Sequence, residues 1–177
     1  EDLDIAENSA VTILSIKEGL IGPARKRNDI PVSLREMITD TVVSMGLPDG
    51  VVEMEWAEDI PNAFVDPRQV EQVFNNLIKN SWEAMSQTSS PKIFVTGQRD
   101  DDTNFVLVTV ADNGPGIPKE IQEKIWVSFF TTKGGSGGTG LGLSAVMQIV
   151  NQNGGHISLE SEAGKGAKFS VRLPVEK

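Results

Sequence analysis

Two amide side chains and a carboxylate recur at helical spacing near the middle of the chain. Asn76, Asn80 and Glu83 are separated by four and three residues, so a helix would place them along one face. The adjoining stripe is expected to be buried and consists of Val70, Val73, Leu77, Ser81 and Ala84. Oxygen ligands aligned in this way suit Mg²⁺, which takes its remaining ligands from water and phosphates. The alternative is that these amides only bond to a neighbouring loop, and the helix alone does not decide.

A carboxylate and two glycines follow an apolar strand at residues 112–118. Asp112 could accept a hydrogen bond from the exocyclic amine of adenine, and Gly114 and Gly116 would let a flat base approach the backbone. The simpler alternative is an ordinary turn, because Asp-Asn-Gly and Pro-Gly are common turn sequences. Taken in isolation, this segment favours the turn.

A glycine-rich segment at 134–142 runs directly into a predicted helix. Free backbone N–H groups and a helix N-terminus both favour anion binding. The segment is not a Walker A loop, because no Lys follows the glycines at the required place. It is also not a dinucleotide fingerprint, since Gly140 to Ala145 follows a loop rather than a strand. A plain flexible linker is disfavoured because an apolar helix begins immediately.

The order of these segments resembles the catalytic domain of histidine kinases, within the ATPase superfamily that includes type II topoisomerases, Hsp90 chaperones and MutL. Residues 76–80 resemble the N box, 112–116 the G1 box, 129–133 the F box, 138–143 the G2 box and, more weakly, 164–169 a G3 box. The combination of Glu83-Ala84-Met85 with Phe-Phe-Thr-Thr-Lys is most similar to nitrogen-regulator sensor kinases. The resemblance covers nearly all of residues 30–177.

The resemblance implies ATP and Mg²⁺ as cofactors and assigns roles to individual residues. Asn80, with Asn76 nearby, would bind the metal, Asp112 would bind the adenine amine, and Lys133 would be a candidate for the terminal phosphate. Asn80 and Lys133 are thus the catalytic candidates. The full predicted nucleotide-binding set is Asn76, Asn80, Glu83, Asp112, Gly114, Gly116, Ile117, Thr131, Thr132, Lys133, Gly138, Thr139, Gly140, Leu141, Gly142 and Leu143.

Two positions depart from the family pattern. Ser128 stands where a proline usually precedes the paired phenylalanines. Ala167 stands where a threonine hydroxyl usually helps to hold the base, so that contact is expected to be missing or replaced by water.

The resemblance also implies an ATP lid. The Thr131–Lys133 segment and the glycines after it would form this lid, which orders when nucleotide binds.

Helices and strands must position these side chains. The sequence predicts helices at 33–45, 67–85, 118–124 and 141–151 and strands at 51–56, 93–99, 105–111, 156–161 and 167–173. Ser33 with Glu36 and Asp66 with Pro67 are predicted helix starts. Blocks of helices and antiparallel strands predict an α+β, two-layer sandwich with helices on one face of a mixed, mostly antiparallel sheet. The resemblance implies that this sandwich is the Bergerat ATP-binding fold.

The N-terminal segment and the histidine bear on phosphoryl transfer. Residues 1–27 are predicted to be the tail of a second dimerisation helix with a hinge, and 28–177 the catalytic domain. The only histidine, His156, begins a strand and lacks the context of a phosphoacceptor. The resemblance implies that the acceptor lies on a dimerisation domain outside this chain. A first residue other than Met also predicts a segment of a longer protein.

Composition excludes several partners. A net charge of −9, with scattered Lys and Arg, argues against nucleic-acid binding and direct membrane contact. The absence of cysteine is compatible with a cytoplasmic domain. The sequence leaves open whether a longer parent protein is anchored in a membrane.

The resemblance implies two partners: the homodimeric domain with the phosphoacceptor histidine, and a response regulator receiver domain.

Two rival functions belong to the same fold. A conformational ATPase usually carries a glutamate base where this chain has Asn76, and it would hydrolyse ATP at ordinary enzyme rates. A nucleotide-binding pseudokinase would bind without transfer, but the motifs are largely intact.

Overall fold

A computed structural model of the protein describes residues 27–102, 104–132 and 138–176. The predicted dimerisation-helix tail and hinge at 1–27 therefore lie outside the described residues, apart from Arg27. Lys133 and the glycines up to Gly137 lie outside them as well. The elements follow in the order β1 (Ile30–Val32), α1 (Leu34–Met45), β2 (Val52–Trp56), β3 (Ala63–Val65), α2 (Pro67–Ala84), β4 (Ile93–Arg99), β5 (Phe105–Asp112), α3 (Lys119–Gln122), a 3₁₀ turn (Lys124–Trp126), α4 (Gly142–Gln152), β6 (His156–Ser161) and β7 (Ala167–Pro174).

Five of the strands form one sheet in the order β2-β4-β5-β7-β6. Only β2 and β4 run parallel, and α2 lies in the connection between them. The neighbours β4, β5, β7 and β6 pair antiparallel. The predicted mixed, mostly antiparallel sheet is confirmed.

The helices cover one face of this sheet. Alternate residues of β5 and β7 are buried, among them Val108, Val110 and Val171. They pack against α2 and α4, whose fully buried side chains include Phe74 and Leu77. The opposite face carries many polar side chains, with a Thr96–Thr109 hydroxyl contact of 2.6 Å and a Lys168–Glu160 ion pair of 2.9 Å, and it also carries the exposed Phe94. The molecule is therefore the predicted two-layer sandwich, with its core between the layers.

Local signals at two helix starts are confirmed. The Ser33 hydroxyl accepts a hydrogen bond from the Glu36 backbone N–H, and Gly46 ends α1 in the left-handed region at φ 61°. The Asp66 carboxylate caps α2 by accepting from the Arg68 N–H, with Pro67 in the first turn. These caps fix where each helix begins. The start of α2 in turn determines the direction in which the Asn76 and Asn80 side chains point.

Two short strands were not predicted. β1 and β3 pair antiparallel as a separate two-stranded sheet, with Ile30 opposite Val65. Each has three residues, which is too short for a pattern of alternation to be visible in the sequence. The pairing joins the start of the described chain to the residues just before α2.

Candidate functional site

A cavity of about 730 Å³ lies between α2, the start of α4 and the loop after β5. That volume is in the range of sites that hold a small molecule. Of the predicted residues, the cavity lining contains Asn76, Asn80, Glu83, Asp112, Gly116, Ile117, Thr131, Thr132, Gly138, Thr139, Gly140, Leu141, Gly142 and Leu143. Segments far apart in the sequence thus meet in one cavity.

One wall consists of the polar stripe of α2. Asn76, Asn80 and Glu83 are half-buried, while Leu77 and Ser81 beside them are buried, as predicted. Ala84, however, was predicted to be buried with that stripe and is exposed; it is the last residue of the helix and lines the cavity. Lys79 lines the same wall and lies 3.9 Å from Glu83.

The start of α4 faces the two amides. A methyl group placed on Gly142 would lie 3.7 Å from Asn80 Nδ2 and 3.9 Å from Asn76 Oδ1. No side chain caps this helix, whose first residues follow Leu141. Backbone N–H groups and two side-chain amides therefore converge on one end of the cavity, an arrangement that suits phosphate oxygens.

The loop before α4 is closed at its base. The Phe129 N–H donates to the Gly140 carbonyl at 2.8 Å, and both residues have a positive φ, 69° and 65°. A side chain on Gly140 would collide with the Phe129 backbone. This hydrogen bond joins the first of the paired phenylalanines to Gly140, just before α4. Phe130, the second of the pair, lines the cavity.

Asp112 also lines the cavity and is held by three hydrogen bonds. Its Oδ1 accepts from the Gly114 N–H at 2.9 Å and from the Ala167 N–H at 3.3 Å. Its Oδ2 accepts from the Ser81 hydroxyl at 3.0 Å. The carboxylate is therefore held from α2, from its own loop and from β7.

Apolar side chains line the same cavity as Asp112. They are Ile117, Ile121, Ile125 and Phe169. Trp126 contacts Phe169 edge to face, with ring centroids 6.0 Å apart. Apolar side chains and one carboxylate acceptor in the same cavity suit a flat aromatic ring that carries a hydrogen-bond donor.

The packing of the protein itself requires glycine at positions 114 and 116, in addition to the base contact that the sequence predicts. Gly114 is buried and lies outside the cavity lining, where a side chain would approach Asp112 Oδ1 and Met85. Gly116 lines the cavity, but a side chain there would collide with the Glu162 carbonyl. Both glycines are required by the packing of the loop around Asp112.

Sequence reasoning missed several members of the lining. Ser81 looked like a core residue, and it is buried, but its hydroxyl contacts Asp112. A small polar residue directly after Asn80 was the available signal. The other missed lining residues are Gln72, Lys79, Ala84, Pro115, Pro118, Ile121, Ile125, Phe130, Ala145, Ala167 and Phe169.

His156 begins β6 and is exposed, as predicted. It is absent from the cavity lining, and its strand partner is Arg172 on β7. Among the described helices, none is long and apolar enough to cross a membrane.

Comparison with known proteins agrees with this arrangement. The chain is 34% identical over 142 residues to Sporulation kinase E of Bacillus subtilis, covering 80% of this chain and 19% of that protein. It is 32% identical over 178 residues to the sensory histidine kinase/phosphatase NtrB of Escherichia coli O157:H7, covering 92% and 49%. The chain thus spans half or less of these relatives.

The fold also matches a solved structure. The catalytic domain of histidine kinase ThkA superposes with a TM-score of 0.68 at 31% identity, covering 85% of this chain and 97% of that one. Residues 65–177 match the family described as histidine kinase-, DNA gyrase B- and HSP90-like ATPases. The chain is therefore a member of this ATPase family, and its relatives are sensor histidine kinases.

Proposed function

We propose that the chain binds Mg-ATP and donates the γ-phosphoryl group to a histidine on a separate dimerisation domain. The observation that carries the proposal is the pairing of Asn76 and Asn80 with the uncapped start of α4 at one end of the cavity. Asp112 and several apolar side chains line the same cavity. Groups that suit phosphate oxygens and groups that suit an aromatic ring with a donor thus line one cavity, as the binding of a nucleoside triphosphate requires.

The residues fit a magnesium ion that is shared with phosphates. In the described part of the chain, no three His, Cys, Asp or Glu side chains come together to hold an ion by themselves. The amide oxygens of Asn80 and Asn76 would supply protein ligands, and phosphate and water oxygens the others, as Mg²⁺ commonly requires. Once bound, the ion would neutralise charge on the phosphates during transfer.

The chain's own groups then have separate tasks. Asp112 would accept a hydrogen bond from the adenine amine, and Ile117 with Phe169 would enclose the ring. Backbone N–H groups at the start of α4 would hold phosphate oxygens. Thr131 and Thr132 line the cavity near the same helix start, and Lys133 remains a proposed contact to the terminal phosphate. Such positioning and charge neutralisation are the main catalytic needs of phosphoryl transfer.

The proposed partners follow from the relatives. Sensor histidine kinases are the proteins that this chain resembles, so we infer a homodimeric phosphoacceptor domain and a response regulator as its partners. A cytoplasmic location for this domain is part of the same proposal. The exposed position of His156, outside the cavity lining, supports an acceptor elsewhere.

Labelled ATP tests the transfer. With γ-labelled Mg-ATP, the chain alone should acquire no stable label and should hydrolyse ATP far more slowly than about 1 s⁻¹, an ordinary enzyme rate. Adding a histidine-bearing dimerisation domain should produce an acid-labile label on that domain. Stable label on the isolated chain would contradict the proposal, and turnover near 1 s⁻¹ would favour the conformational ATPase.

A further inference from the structure

A buried hydroxyl on α2 contacts the Asp112 carboxylate in the cavity. Ser81 is 2% exposed, lines the cavity and donates to Asp112 Oδ2 at 3.0 Å. It directly follows Asn80, which lies on the half-buried stripe. The hydroxyl therefore links the helix at the proposed phosphate end to the residue at the proposed base end.

The hydrogen bonds of Asp112 leave little acceptor capacity. A carboxylate has about four lone-pair positions on two oxygens. Oδ1 already accepts from the Gly114 and Ala167 N–H groups, and Oδ2 accepts from Ser81. One position on Oδ2 remains, which matches a single N–H from a ligand.

The same contact decides what kind of ligand atom is accepted. A carboxylate has no hydrogen to donate, so the Ser81 hydrogen is committed to Asp112. Both Oδ2 and the serine oxygen then offer only lone pairs to the cavity. A ligand amine is attracted there, whereas a ligand carbonyl is repelled because acceptors would face acceptors.

The residue at position 167 makes the role of Ser81 in holding Asp112 more specific. Ala167 has no side-chain hydroxyl, and it contributes its backbone N–H to Asp112 Oδ1. Ser81 reaches the other oxygen from α2, on the opposite side of the carboxylate. Removing the serine hydroxyl would therefore free Oδ2 while Oδ1 stays held.

We propose that Ser81 is a positioning residue that sets base specificity, by orienting Asp112 so that the cavity selects a purine with an amino group at position 6. This inference rests on the proposed function, because it assumes that a purine nucleotide occupies the cavity. It predicts that Ser81 matters for recognition of the amino group and hardly at all for the ring, ribose or phosphates.

Calorimetric titrations of the whole chain with two nucleotides, in Mg²⁺, test this role. One ligand is ATP, and the other is purine riboside triphosphate, which lacks the 6-amino group. The variants are Ser81→Ala, Ser81→Cys, which keeps a side chain of similar size with a weak donor, and Ser158→Ala as a control. Ser158 is exposed on β6 and outside the cavity lining.

Ser81→Ala should weaken ATP binding about tenfold, because Asp112 Oδ2 loses the contact that orients it and a hydrogen bond from the amino group to this charged acceptor weakens when it is misaligned. Binding of purine riboside triphosphate should change by less than about twofold, because that ligand makes no contact that the hydroxyl supports. Ser81→Cys should weaken ATP binding less than Ser81→Ala does, and Ser158→Ala should leave both affinities unchanged.

The outcomes separate this inference from the proposed function. Equal losses for the two nucleotides would show a merely structural role, and no loss for either would show no role; both results overturn the inference while ATP binding by the unsubstituted chain stands. If the unsubstituted chain binds neither nucleotide, the inference and the proposed function fall together.

Discussion

Gly116 shows how a single residue shapes the site through its neighbours. Its φ is +72°, a conformation that L side chains rarely adopt, and a side chain would collide with the Glu162 carbonyl of the turn between β6 and β7. The Ile117 N–H donates to the Ser161 hydroxyl at 2.8 Å beside it. The loop that carries Asp112 is therefore packed tightly against that turn.

A pair of glycine substitutions tests this packing. Gly164 has a similar φ of +82°, but a side chain there would meet nothing within 4 Å. Gly164→Ala should lower the free energy of unfolding by about 1–2 kcal/mol, the cost of the left-handed conformation. Gly116→Ala should cost about 1–3 kcal/mol more, because the neighbouring backbone must move. Urea unfolding measures both, and equal losses would contradict the packing argument.

Single residues differ in how well the sequence predicts them. The spacing of Asn76, Asn80 and Glu83 depends only on helix geometry, so their common face was predictable. The contact of Ser81 with Asp112 joins residues 31 positions apart and depends on how α2 lies against β5. The exposure of Ala84, the last residue of α2, likewise depends on which distant segments pack against that end of the helix, and no local pattern contains that information.

At the scale of elements, Asn153 links α2 and α4, the two helices that line the cavity, by hydrogen bonds. It is 3% exposed and lies at the end of α4. Its Oδ1 accepts from the Asp66 N–H at 3.1 Å, and its Nδ2 donates to Gln69 Oε1 and to the Ile149 carbonyl, both at 2.9 Å. The C-terminus of α4 is thereby tied to the N-terminus of α2.

Replacing Asn153 should loosen this junction. Asn153→Ala leaves the Asp66 N–H and the Gln69 amide without their partner, so it should lower the free energy of unfolding by about 1–3 kcal/mol. Asn151→Ala, at an exposed position of the same helix, should stay within about 0.5 kcal/mol. The measurement is the urea midpoint of each variant, and an equally small effect at both positions would show that the junction is unimportant.

Elements with strong local signals were predicted within one or two residues. The strand Ile93–Arg99 and the start of α2 behind Asp66 are examples, because alternation and a cap act over a few neighbouring residues. β1 and β3 were missed because each is short and is stabilised by its distant partner. The sequence pattern therefore predicts a helix or strand when neighbouring residues in the chain stabilise it.

At the scale of the whole molecule, the sandwich brings four sequence segments to one cavity. The sheet order places β5 beside β7, so Asp112 at the end of β5 meets the Ala167 N–H at the start of β7. The helices on one face place Asn80 and the start of α4 across from them. The sequence predicted the two-layer class and about half of the lining residues, but the order of the strands follows only from pairing between distant segments.

The most direct test of the central claim is calorimetric titration of the intact chain with ATP, with Mg²⁺ and again with EDTA. The account predicts binding that is strongly weakened by EDTA. Asn80→Ala should lose about 10-fold or more in affinity in Mg²⁺, through the loss of a metal ligand. Asn75→Ala, on the exposed side of α2, should bind like the unsubstituted chain. Nucleotide affinity that is absent, or that is the same with and without Mg²⁺ in the folded protein, would contradict the account.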